Sequence, residues 1–68
     1  MEEDWVKVYS SPQLYEVELI RGLLSEHEIE SVTIDKQDSA YLFGVVELYV
    51  KVENAFQAKQ LIEKSRSE

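Results

Sequence analysis

Hydrophobic and polar positions alternate with two different periods along this chain, and the period changes three times. From Trp5 to Tyr9 the spacing is two, with Val6 and Val8 on one side and Trp5, Lys7 and Tyr9 on the other. That pattern predicts a first strand with one buried face. Leu14, Val17, Ile20, Leu23, Leu24 and His27 then recur at steps of three and four, while Glu16, Arg21, Ser25 and Glu26 fall between them. One apolar stripe with a wet opposite face is the signature of an amphipathic helix. Ser31 to Lys36 returns to a spacing of two, with Val32 and Ile34 expected inward and Ser31, Thr33 and Asp35 outward. Val46, Leu48, Val50 and Val52 alternate with Glu47, Tyr49, Lys51 and Glu53. This longest period-two run predicts the central strand. Ala55, Ala58, Leu61 and Ile62 supply the stripe of a second helix.

Local signals place the boundaries. Ser10-Ser11-Pro12 offers a serine cap followed by a proline suited to a first helical position, so the first helix should start near Pro12. It should end near His27 or Glu28, where no glycine supplies a left-handed cap and Glu26 and Glu28 oppose the helix dipole. Asn54 and Gln57 have capping-box spacing, and Lys64 and Arg66 suit the other end of the second helix. The stretch 37–44, polar and then aromatic at Tyr41 and Phe43, stays unassigned between a mobile connection and a strand extension. The expectation is one domain over 1–68, with an ordered core at about 5–64 and a frayed end from Ser65.

The β-α-β-β-α order points to an α+β domain: a three-stranded sheet with both helices on one face. This is the ferredoxin-like split β-α-β plan without its final strand. Strands one and three are expected side by side and parallel. The missing strand would leave strand one as an open edge, guarded by Lys7 and the acids before it.

Val6-Lys7-Val8-Tyr9, then Glu16-Val17-Glu18-Leu19-Ile20-Arg21-Gly22-Leu23-Leu24 and Ile29, then Leu48-Tyr49-Val50-Lys51-Val52 with Ala58 and Leu61-Ile62, resemble a known family. It is the short bacterial domain labelled a "putative signal-transducing protein", and the resemblance covers nearly the whole chain. The matching residues are mostly apolar core positions, so it implies the fold and a signalling or regulatory role but carries over no catalytic residue. Where the family commonly has glycine before the isoleucine entering strand two, this chain has Glu28.

Composition narrows the function. With 68 residues the chain buries only ~60% of its unfolded surface. It has no cysteine, so neither disulfides nor a thiolate metal site reinforces it, and self-association is one route to stability. Fourteen acids against seven bases give a net charge of −7, which repels nucleic acid and anionic membrane surfaces. The acidic start and the lack of a long apolar run make cytoplasm the expected location. His27 sits among Glu26, Glu28 and Glu30, but these lie beside it rather than a turn away, and no second histidine exists. A metal site is not expected there; His27 is read as closing the helix stripe. Catalysis is not expected either, because no Gly-rich phosphate loop or Cys nucleophile is present. An acylphosphatase of this plan needs an arginine in the loop after strand one, where Ser10-Ser11-Pro12 stands. Glu18 and Arg21 have the spacing of a loose surface pair.

Trp5, Tyr9 and Tyr49 are expected to share the helix-free face of the sheet. Two readings stay open: a partner or dimer surface, and cross-strand ring pairs that shield a thin sheet. Base stacking on RNA would use the same face, but Lys7 and Lys51 with Glu47 between them make a poor track for phosphates. The leading expectation is a non-enzymatic binding or regulatory module without a cofactor. It would dock a protein partner or a second copy, the latter through the edge of strand one. The alternative is a small-molecule sensor with its ligand in a dimer cleft or under the 37–44 loop.

Overall fold

The computed structural model describes residues 4–36 and 44–66. The chain runs β1 (Trp5–Ser11), α1 (Leu14–Glu26), β2 (Ser31–Asp35), β3 (Val46–Lys51), a 3-10 turn at Val52–Asn54, and α2 (Ala55–Arg66). The strand order is β1-β3-β2, with β3 antiparallel to both neighbours. The fold class is the expected α+β ferredoxin-like β-α-β-β-α, but the parallel pairing of the first and third strands is corrected. α1 carries the chain back along the sheet, so β2 runs parallel to β1, and the direct connection from β2 reverses it into β3. The connection itself, 37–43, lies outside the described residues, as do 1–3 and 67–68.

β3 sets the two faces. Val46, Leu48 and Val50 are fully buried and join Val17, Ile20 and Leu24 of α1, Ala58 and Ile62 of α2, and Ile29 in one core. Three alternate strand residues point one way, so both helices cover the same face. The domain is 15 Å through its thinnest direction, room for one sheet and one helix layer.

The edge strands depart from their own alternation. Val6 opposes Val50 and Lys7 opposes Tyr49, but Tyr9 opposes Leu48, so Val8 is an extra residue. This β-bulge reverses the strand's parity beyond it. Val8 and Tyr9 therefore both pack on the helix side of the sheet. In β2, Thr33 opposes the buried Leu48, while Val32 opposes Tyr49 and Ile34 opposes Glu47. The expected inward set is thus reversed: Val32 and Ile34 are half-buried on the face away from the helices. Ile29, 3% exposed, supplies the apolar anchor at this edge instead.

α1 begins at Leu14, later than expected, with Pro12 still outside it and Gln13 at the cap without a side-chain cap bond. Ser11, expected as a cap, locks the turn before it. Its Oγ accepts from the Gln13 amide at 3.0 Å and donates to Glu16 Oε1 at 2.6 Å. At the other end His27 is exposed, and only its backbone serves, donating to the Leu24 carbonyl. Glu28 is left-handed at φ 62. Its amide donates to the Ser25 carbonyl at 3.0 Å and the Ile29 amide to the Leu24 carbonyl at 2.9 Å. These are the two bonds of a Schellman motif, and the turn folds Ile29 under Leu24 as that motif favours. Glycine's usual place in it is here held by a glutamate.

Val52, expected to continue β3, is 55% exposed in the 3-10 turn, and its amide donates to the Asp4 carbonyl at 2.7 Å. Asn54 closes that turn, with Ala55 after it already α-helical, so helical backbone starts ahead of the expected Asn54 cap.

Glu28→Gly removes a Cβ from left-handed backbone and a carboxylate from the negative end of α1. It should raise the unfolding free energy by about 1 kcal/mol in urea denaturation. Ile29→Ala, next door, should lower it by about 2–4 kcal/mol.

Candidate interaction face

The face of the sheet away from the helices is set by the register. Along it Trp5 stands beside Lys51, then Lys7, Tyr49 and Val32 form a row, then Ser10, Glu47 and Ile34. Neighbouring rows are about 7 Å apart and neighbouring strands about 4.8 Å, so these side chains form one continuous surface. Trp5, Tyr49, Val32 and Ile34 are each half-buried. The Lys51 ammonium lies 5.9 Å from the Trp5 ring centroid, within cation-π range.

Glu47 holds the middle. Although it points away from the core, its residue surface is only 8% exposed, because the rows on either side enclose it. The Tyr49 hydroxyl donates to Oε1 at 2.8 Å. Lys7 reaches Oε2 at 3.4 Å and Lys36 reaches Oε1 at 3.3 Å. Lys36 is brought there by its own backbone, whose amide donates to the Val45 carbonyl at 2.9 Å just past the end of β2. The Tyr49 hydrogen bond, followed by Lys36 and Lys7, holds the Glu47 carboxyl below its ordinary 4.5 against the opposing effect of burial. Reciprocally, the bond to Glu47, burial and the carboxylate's charge raise the Tyr49 phenol above its ordinary 10.0, with Lys36 opposing.

Of the three rings expected here, Trp5 and Tyr49 share the face and Tyr9 does not. The bulge at Val8 sends Tyr9 to the helix side, where the Arg66 guanidinium lies 5.7 Å from its ring centroid. There it lines an open cleft with Leu19, Leu23, Ser65 and Arg66. Lys7, Lys51 and Glu47 stand on the open face as the alternation implied. Sequence reasoning missed Val32 and Ile34, which were assigned to the core, and Lys36, which lies beyond its strand. No signal in β2 alone reveals its parity, since only pairing with β3 fixes it.

Among the described residues no strand lies along the outer edge of β1. Its bulge and Lys7 are devices that blunt such an edge toward strand addition, so more of the available surface is face than edge. The Ser11–Glu16 contact resembles an activated hydroxyl, but Ser11 is 4% exposed and already tied to the Gln13 amide. It is a turn lock. Among the described residues no group of His, Cys, Asp and Glu could hold a metal ion, and no helix is long and apolar enough to cross a membrane. Glu18 and Arg21 do pair, at 3.4 Å on the surface.

Fold and face together define a two-layer α+β module of ferredoxin-like plan, with one sheet face turned away from both α1 and α2 and polar at its centre. The model of the family described as "Putative prokaryotic signal transducing protein" matches residues 5–66, and the chain belongs to that family. No curated protein and no solved structure matches it.

The Glu47 cluster has a pH signature. A carboxyl that ionises lower when folded gives stability that is complete above its unfolded value and lost as pH falls through its folded value. A phenol raised on folding gives stability that is complete below its unfolded value and lost as pH rises through its folded value. Both contributions are therefore whole between about pH 6 and pH 9. Glu47→Gln should be less stable than the parent at pH 7, and the difference should shrink as urea titrations are taken down toward pH 3.

Proposed function

We propose that this protein is a non-enzymatic binding or regulatory module that works through the helix-free face of its sheet, by docking a protein partner or a second copy. The observation that carries this reading is the placement of Trp5, Tyr49, Val32 and Ile34 around a carboxylate already held by Tyr49, Lys7 and Lys36. Half-buried rings and aliphatic groups on a rigid strand scaffold give area that a partner can cover at low entropic cost. Membership of a signal-transducing family supports the same reading. Tyr9 leaves the proposed surface, and the edge of β1 becomes its border.

The second reading, small-molecule sensing, is supported by the cleft on the other side of the sheet, where Tyr9 lies under Arg66. A ligand held there would raise the melting temperature, and go on raising it with the logarithm of its concentration once above its Kd.

Photocrosslinking in cells separates these readings. A benzoylphenylalanine replacing Val32 should crosslink to a protein, or to a second copy, while one replacing Gln60 on α2 should not. Sedimentation at micromolar concentration then identifies self-association. Crosslinks from position 60 alone would overturn the face. A melting temperature raised by nucleotides or amino acids and unaffected by Trp5→Ala or Tyr49→Ala would favour the cleft.

A further inference from the structure

Charge on this molecule is segregated, and the segregation identifies the chemistry of the partner. The chain as a whole carries −7, yet among the paired strand residues and Lys36 the open face bears Lys7, Lys36 and Lys51 against one carboxylate, Glu47. Glu47 is used up internally, with a side chain 10% exposed, whereas the side chains of Lys7 and Lys36 are 50% and 56% exposed. An ammonium has three donors, so both lysines keep capacity for further acceptors after holding Glu47. The Lys51 ammonium lies over the Trp5 ring, 5.9 Å from its centroid. We propose that the face docks an acidic segment of a protein partner, whose carboxylates meet Lys7, Lys36 and Lys51 while aliphatic or aromatic side chains between them cover Tyr49, Val32 and Ile34.

This rests on the binding-module reading and goes further by naming the partner's chemistry. Symmetric sheet-to-sheet pairing of two copies fits poorly, because an isologous contact would bring the same three lysines of each copy together. A single-stranded nucleic acid shares the anionic chemistry, but on β2 Val32 and Ile34 occupy the positions where further bases would need stacking platforms. A phosphate chain must also run past the borders of this face, onto a molecule whose remaining charge is strongly negative. A short peptide can place its carboxylates over three lysines and stop.

An NMR titration tests the proposal with a synthetic peptide that alternates glutamate with leucine and phenylalanine. Amide shifts should saturate around Trp5, Val32 and Tyr49, and affinity should fall as salt rises from low to physiological. Lys51→Glu, which leaves the Glu47 cluster intact, should weaken binding by about tenfold or more while the core amides keep their positions. Lys36→Gln serves as a second variant should Lys51→Glu perturb the fold. Equal binding of a peptide with lysine in place of glutamate, or no loss in either lysine variant, would overturn the acidic partner. Tighter binding of an oligouridylate at the same residues would overturn it in favour of RNA. In those cases shifts still centred on the open face leave the binding module standing, whereas shifts confined to α1 and α2 sink both.

Discussion

The alternation of six residues on β3 is the constraint on which the rest of the molecule depends. Val46, Leu48 and Val50 form the floor on which both helices rest, and each is completely buried. The same pleat must send Glu47, Tyr49 and Lys51 the other way, because successive side chains on a strand leave by opposite faces. Core and candidate interaction face are thus two readings of one strand. A one-residue slip of either neighbour would exchange the groups it presents, so the register of β1 and β2 against β3 is as much a functional as a structural property.

Both edge strands show how that dependence works. β1 keeps its Val6 over Val50, then uses the extra residue Val8 to turn Tyr9 inward, toward Arg66 and the core. β2 presents its two aliphatic residues outward, and its side of the core is filled by Ile29, delivered by the left-handed Glu28 turn. A chain this short has few large apolar residues to distribute. The helix side takes Ile29 from before the strand, and Val32 and Ile34 become available to the open face.

The strength of the β3 alternation made the central strand, the helix layer and the single-sided cover legible in the sequence. Lys7, Lys51, Glu47, Trp5 and Tyr49 follow from it directly. Tyr9 did not, because a bulge inserts its extra residue through backbone geometry that no residue type at Val8 announces. Val32 and Ile34 did not, because reading apolar as inward holds only where one face is wet, and this open face is half-buried by its own neighbours. Lys36 lies one position past β2, where alternation no longer applies, and reaches Glu47 through a backbone bond to Val45. The acidic helix end was legible as an anomaly, while the Schellman geometry that resolves it appears only in the bonds to Leu24 and Ser25.

A carboxylate at the centre of a face whose other side chains include rings, aliphatic groups and lysines alters what can bind there. A purely apolar sheet face would stack on any flat apolar surface, including another copy of itself. Glu47 anchors Lys7, Lys36 and Tyr49 around the middle of the face, so whatever covers it must leave those donors satisfied or carry acceptors of its own. Covering them with hydrocarbon alone would strip water from two ammonium groups and give them no acceptor beyond Glu47. Each excluded apolar contact widens the difference between right and wrong partners, and specificity is that difference. The cluster thus lets a small domain expose a substantial apolar face and still discriminate among the surfaces it meets.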